Sequence, residues 1–209
     1  MQAGLRGAFV VDANTKTLPR WEWRTFGQNL APLEARIGLS LQTAPRESEE
    51  IYLLNFATPH SAKIRGGALE IKQLKEVDAN GLERWSPSFK GVFPLSAELL
   101  RAGFLSLGAR LPAAKREQYS LNEFLTEIID REPSFRAVQL TKARRQFSYR
   151  GCLAELVRIQ IGERMQESFC IENERPERII AALCELGFDS HANVNFPRGV
   201  ARMLGWAPT

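Results

Sequence analysis

The sequence predicts an α+β domain built mainly of antiparallel strands, with helices packed against one face of the sheet. Three observations predict it. Polar and apolar residues alternate with period two through most of the first half, as half-buried strands require. Two dipeptides, Gly66-Gly67 and Asn80-Gly81, lie where two-residue hairpin turns need positive φ. Three segments, opening at Ser96, Ser120 and Pro176, change to helical spacing behind N-terminal signals.

The elements follow in order. Residues 1–17 are small and polar and read as an N-terminal arm, and residues 18–209 as one domain. Leu18 to Phe26 alternates, with Arg20, Glu22 and Arg24 on one face and Trp21 and Trp23 on the other. Leu30 to Leu39 reads as a short helix and Glu49 to Phe56 as a strand. The Gly-Gly turn then sets a hairpin register in which Arg65 faces Ala68, Lys63 faces Glu70 and Ser61 faces Lys72. A strand beginning Leu82-Glu83-Arg84-Trp85 follows Asn80-Gly81. Ser96 caps one helix, and Ser120 with Glu123 has capping-box spacing at the head of another. Strands resume at Ala137 to Tyr149, Ala154 to Ile161 and Gln166 to Glu172. Pro176 starts an amphipathic helix that stops at Gly187, and Pro197 to Leu204 forms a last one.

Composition narrows the function classes. With 209 residues, 44% hydrophobic and 25% charged, the chain has enough apolar material for a full core. A net charge of +4 favours anionic partners without naming one. Three cysteines with no CxxC, and two histidines, argue against a disulfide scaffold or a Cys/His zinc site. Cys152, Cys170 and Cys184 read as small apolar residues in a reducing compartment. No apolar run approaches the ~18 residues of a membrane span, so a cytoplasmic protein is expected. His60 and His191 flank loop-like stretches and read as surface residues; Trp21, Trp23 and Trp85 read as core.

Charge recurs at strand spacing. Glu22/Arg24, Lys63/Arg65, Glu70/Lys72 and Lys142/Arg144 each pair at a spacing of two, with Glu172/Glu174 an acidic pair late in the chain. On several of these strands the opposite face (Trp21 and Trp23; Ile64, Leu69 and Ile71) is too apolar to be solvated. Helices covering that face would leave the charged one free, and a sheet closing on itself would turn it into a lumen. Such a lumen suits a metal-bound polyanion: carboxylates hold Mg²⁺ or Mn²⁺, and Arg and Lys neutralise phosphate oxygens. Parity is broken in two places. Glu155 is in phase with Val157, and Glu83 and Arg84 cannot both face inward without a bulge.

The ordered set E-x-R, K-I-R, E-I-K, L-E-R, K-A-R-R-Q-F, A-E-L and C-I-E-N-E before a helix resembles the CYTH domain of the triphosphate tunnel metalloenzymes. The resemblance runs from about Leu18 to Leu204. It implies an antiparallel eight-stranded β-barrel, a tunnel with helices outside, in which basic residues hold a triphosphate and carboxylates bind Mg²⁺ or Mn²⁺ that activates water. It assigns Glu22, Glu155 and Glu172 as catalytic metal-holding carboxylates, with Glu174 and Glu70 as further metal ligands. It assigns Arg24, Lys63, Arg65, Lys72, Arg84, Lys142 and Arg144 to the phosphates. Three positions depart from the pattern: Arg20 and Cys170 stand where glutamates are expected, and Val194 where a lysine is.

The leading expectation is a metal-dependent phosphohydrolase acting on inorganic triphosphate or a short polyphosphate or organic triphosphate. The alternatives are a non-catalytic polyphosphate-binding protein on the same barrel and, further off, an RNA-binding barrel. Neither a membrane nor a nucleic acid is the expected partner, and a homodimer is compatible with the sequence.

Overall fold

In the computed structural model, which describes residues 18–30, 32–37, 44–55, 57–188 and 190–206, the charged strands do close on themselves. The N-terminal arm, and the predicted helix beyond Ile37, fall outside the described residues. The barrel strands are β1 (Arg20–Gly27), β2 (Arg46–Asn55), β3 (Ser61–Arg65), β4 (Ala68–Val77), β5 (Glu83–Val92), β8 (Phe135–Tyr149), β9 (Cys152–Ile161) and β10 (Arg164–Asn173). They are ordered β1-β10-β9-β8-β2-β3-β4-β5, every pair antiparallel, with β5 returning to β1. Two short strands, β6 (Leu95–Ser96) and β7 (Gln118–Tyr119), pair outside the barrel and were not evident in the sequence.

The hairpin register is the one expected, with Lys63 opposite Glu70 and Ser61 opposite Lys72. Gly66 and Gly67 both adopt the positive φ of that turn. The helices are α1 (Pro32–Ile37), α2 (Ala97–Ser106), α3 (Leu121–Phe124, running on as a π-helical turn Leu125–Ile129), α4 (Pro176–Leu186) and α5 (Phe196–Met203). Their caps are those the sequence announced. The Ser96 hydroxyl accepts from Leu99 N, and Ser120 and Glu123 form the capping box. Gly187 ends α4 in the left-handed conformation.

Three apolar clusters divide the work. Outside the barrel, α1 and α4 cover the Trp21, Trp23, Phe169 and Ile171 face. On the far side, α2 and α3 cover Ile64, Leu69, Ile71 and Phe89. The third cluster lies within the barrel, where Phe196, Val200 and Ala201 of α5 pack on Tyr52, Leu54, Val138, Leu140, Val157 and Ile159. One end of the interior is therefore filled with side chains, and the charged residues occupy the other.

Neither parity break needs a bulge at its own residues; the register shifts between β4 and β5 lie beyond Arg84, at Ile71/Lys72 and Leu74/Glu76. Glu155 and Val157 both face inward, because the interior is polar at one level and apolar at the next. Glu83 faces inward opposite Glu22, whereas Arg84 points out over the Trp21 ring at 5.8 Å.

Candidate functional site

The interior encloses a cavity of about 520 Å³. Among the described residues, seven basic side chains line it (Arg24, Lys63, Arg65, Lys72, Lys90, Lys142, Arg144) against four acidic ones, Glu22, Glu70, Glu155 and Glu172. Topology segregates them. The carboxylates of Glu22, Glu155 and Glu172 come from the adjoining strands β1, β9 and β10, while the basic groups other than Arg24 come from β3, β4, β5 and β8.

On the acidic wall, Arg24 is almost wholly buried and acts as a hub. Its Nε donates to Glu22 Oε1 at 3.1 Å, one terminal nitrogen to Ser168 Oγ at 3.0 Å and the other to Glu155 Oε1 at 3.5 Å. Burial works against the Glu22 charge, but Arg24 and Lys72 outweigh it and hold its carboxyl below the usual range. Glu172 goes the other way: burial, then the Glu22 charge, push its carboxyl up. Two desolvated carboxylates sharing a site cannot both ionise freely.

Among the described residues one group has donors close enough to share a cation. The ligand atoms of Glu22, Cys170 and Glu172 all lie within 4.8 Å of one another. The residues fit a divalent ion, since a cation between Glu22 and Glu172 would relieve the repulsion that raises Glu172. Two arginines lie close by: Arg24 holds one oxygen of Glu22, and Arg20 approaches Glu172 at 3.9 Å.

On the basic wall the organising group is Glu50 of β2, a residue the motifs did not single out. Its side chain is fully buried and pairs with Lys142 at 3.3 Å, Lys63 at 3.4 Å, Arg65 at 3.9 Å and Arg144. Burial would raise its pKa, yet Lys142, Lys63 and Arg144 bring it down to about 2. Lys142 also donates to the Tyr52 hydroxyl at 2.8 Å and sits 3.4 Å above the Phe196 ring. Glu70 is held by Arg65 at 3.1 Å, Lys90 at 3.1 Å and Lys63 at 3.7 Å, so its contacts are those of an ion-pair partner.

A consequence for acid stability follows from Glu50. A carboxyl at about 2 in the fold and near 4.5 when unfolded contributes stability that is complete above pH ~4.5. That contribution, on the order of 3 kcal/mol, is lost as pH falls through about 2. Denaturant titrations from pH 5 downward are expected to show the loss in the wild type and a much flatter curve in Glu50→Gln.

Of the residues expected from sequence, Glu22, Arg24, Lys63, Arg65, Glu70, Lys72, Lys142, Arg144, Glu155 and Glu172 converge on this one cavity. Arg84 and Glu174 do not. Arg84 pairs with Glu76 at 3.3 Å outside the barrel. Glu174 lies past the last residue of β10, where strand alternation has ended, and borders a separate cleft with Arg20 and Arg175. Val194 is buried away from the cavity, its amide donating to Arg24 O at 2.8 Å.

The motifs missed Glu50, Lys90, Tyr52, Ser168 and Phe196. Lys90 was hidden by a register shift between Ile71 and Lys72, which lets Pro87 and Lys90, of opposite parity, both reach the lumen. Trp85, read as core, is buried and also borders the cavity, whereas Trp21 and Trp23 belong to the outer core. Cys152 and Cys170 are buried as expected and Cys184 is exposed.

No protein-family model matches the sequence, and no curated protein does. Solved structures do match. A Hippeastrum protein, described as an adenylyl cyclase candidate with a dominant triphosphatase activity, superposes with a TM-score of 0.52 at 12% identity, over 90% of this chain and 96% of that one. An adenylate cyclase candidate from Bacillus halodurans gives 0.47 at 15% identity, over 87% and 95% of the two chains. The fold is thus the CYTH-like tunnel fold that the sequence resemblance implied. No helix among the described residues is long and apolar enough to cross a membrane.

Proposed function

We infer that this chain is a divalent-metal-dependent phosphohydrolase acting on inorganic triphosphate or a related short polyphosphate. The observation that carries the reading is the cavity itself: seven basic side chains facing one space, with a carboxylate pair on the opposite wall. A small neutral or cationic ligand would leave those charges uncompensated, whereas a triphosphate carries several oxyanions within a few ångströms of one another. The closed apolar floor beneath Lys142 and Arg24 favours a short chain entering from one end. The triphosphatase activity named for the Hippeastrum protein points the same way.

In this reading Lys63, Arg65, Lys72, Lys90, Lys142 and Arg144 bind the phosphates and offset the charge that develops on them. Glu22 and Glu172, with Glu155 nearby, would hold Mg²⁺ or Mn²⁺, which would supply charge neutralisation and activation of a water. Arg24 fixes the Glu22 and Glu155 carboxylates in place. Purified protein is expected to release orthophosphate from tripolyphosphate only when Mg²⁺ or Mn²⁺ is added. Absence of metal-dependent turnover would overturn the catalytic role.

A second reading, a polyphosphate receptor without turnover, is favoured by Arg20 and Arg24 beside the carboxylates, where two positive charges compete with a cation. It requires thermal stabilisation by tripolyphosphate that is indifferent to Mg²⁺. Stabilisation that depends on the metal would exclude it.

A further inference from the structure

We propose that Glu50 is the positioning residue of the phosphate grip, gathering Lys63, Arg65, Lys142 and Arg144 onto one wall without itself meeting the ligand. The proposal rests on the polyanion reading of the cavity.

The geometry places Glu50 behind the cations. Its side chain is fully buried and absent from the cavity lining, whereas all four partners line it. Oε2 takes Lys142 and Lys63, and Oε1 takes Arg144 together with the Ser48 hydroxyl at 3.3 Å. Both oxygens are therefore engaged on the side away from the open space, and a phosphate entering the cavity meets the outer sides of the cations.

Four like charges held this close repel one another and either swing apart or lose a proton. Arginine does not deprotonate in proteins, so a lysine is the group that yields. Lys142, which is buried, is where that balance is most easily tipped. It faces Glu50 and Tyr52 from β2, Lys63 from β3, Arg24 from β1, Glu155 from β9 and Phe196 from α5. Among the described residues, Glu50 is the carboxylate within ion-pair distance of it. Burial already pulls the Lys142 ammonium well below its ordinary range, with Glu50 opposing. Without that charge Lys142 sits among cations in an apolar corner and becomes neutral at lower pH.

The test is Glu50→Gln in the full chain, with tripolyphosphate as probe. Near mildly acidic pH its affinity by calorimetry should approach that of the wild type. As pH rises it should fall about tenfold or more relative to wild type, a tenfold change corresponding to one pK unit of the lysine. In turnover assays KM and kcat should both carry the excess pH dependence, because Lys142 also offsets the charge developing on the phosphates. The Glu50→Gln/Lys142→Arg double variant should lose the excess pH dependence, because arginine stays protonated. Side-chain ¹⁵N NMR of lysine in the ligand-free protein should show one ammonium titrating at lower pH in Glu50→Gln. Should that variant fail to fold, Glu50→Asp, which retracts the carboxylate by one methylene, should show the same trend more weakly.

Parallel pH profiles and unchanged lysine titration in the variant would overturn the proposal. If the wild type binds no tripolyphosphate at all, the polyanion reading fails instead, and the NMR titration still decides the role of Glu50.

Discussion

Glu172→Gln is expected to lower metal-dependent tripolyphosphate turnover by roughly 10²–10³-fold while leaving thermal stability unchanged or higher, the activity estimate being that for removal of one preorganised electrostatic group. The two effects have one cause. Burial and the neighbouring Glu22 charge raise the Glu172 carboxyl, so ionising it costs more in the fold than in the unfolded chain. A group whose folded pKa is raised above its unfolded value weakens the fold where the unfolded chain would ionise it, and the amide removes that penalty. Glu22→Gln should cost as much activity and behave oppositely in stability. The Glu22 carboxyl is held down by Arg24, whose Nε lies 3.1 Å away, and the amide would leave a buried guanidinium short of a counter-charge. Phosphate release and melting temperature measured together separate the cases. Equal destabilisation by both variants would mean that the two carboxylates do not share one electrostatic site.

That asymmetry was not legible in the sequence, where Glu22 and Glu172 look alike, each two residues from another charge. What the sequence carried well was local. The Gly66-Gly67 turn fixed the pairing of β3 with β4 residue by residue, because a two-residue turn leaves one register that buries Ile64, Leu69 and Ile71. The caps at Ser96 and Ser120 and the stop at Gly187 are likewise written in neighbouring residues.

What it carried poorly was non-local. Period two identifies a face but not what fills it, so Val157 in phase with Glu155 looked like a conflict until α5 was seen to plug that level. Glu50 was obscured by its neighbour Glu49, since adjacent glutamates offer one carboxylate to each face and nothing local says which is buried. Lys90 required knowledge of a register shift that depends on the partner strand. Arg84 and Glu174 were included for two different reasons: Arg84 neighbours Glu83, and alternation turns only Glu83 inward, while Glu174 lies past the last residue of β10. The basic wall was thus nearly complete from sequence, while its internal counter-ion and its floor were not.

The floor gives the second large effect. Phe196→Ala is expected to destabilise the protein by roughly 3–5 kcal/mol, the usual cost of deleting a buried aromatic ring, lowering the melting temperature by about 10 °C. Phe196 stacks on Tyr52 at 4.7 Å and meets Phe26 at 5.7 Å, so its removal opens the sealed end of the barrel. Collapse of α5 into the gap is limited by how closely that helix already sits: a Cβ at Gly199 would lie 2.0 Å from the Phe26 ring. The ring also underlies two cations, with Lys142 at 3.4 Å and Arg24 at 5.2 Å from its centroid. Phe196→Leu distinguishes the roles. It keeps most of the volume, so it should cost under about 1.5 kcal/mol from packing, yet it removes the π face. If the ring serves only as filler, the leucine variant should bind tripolyphosphate as the wild type does. If it also steadies Lys142 and Arg24, binding weakens in the leucine variant while the melting temperature stays close to wild type. The alanine variant, which lets water reach the buried ammonium, should then lose stability far more than it loses charge on Lys142.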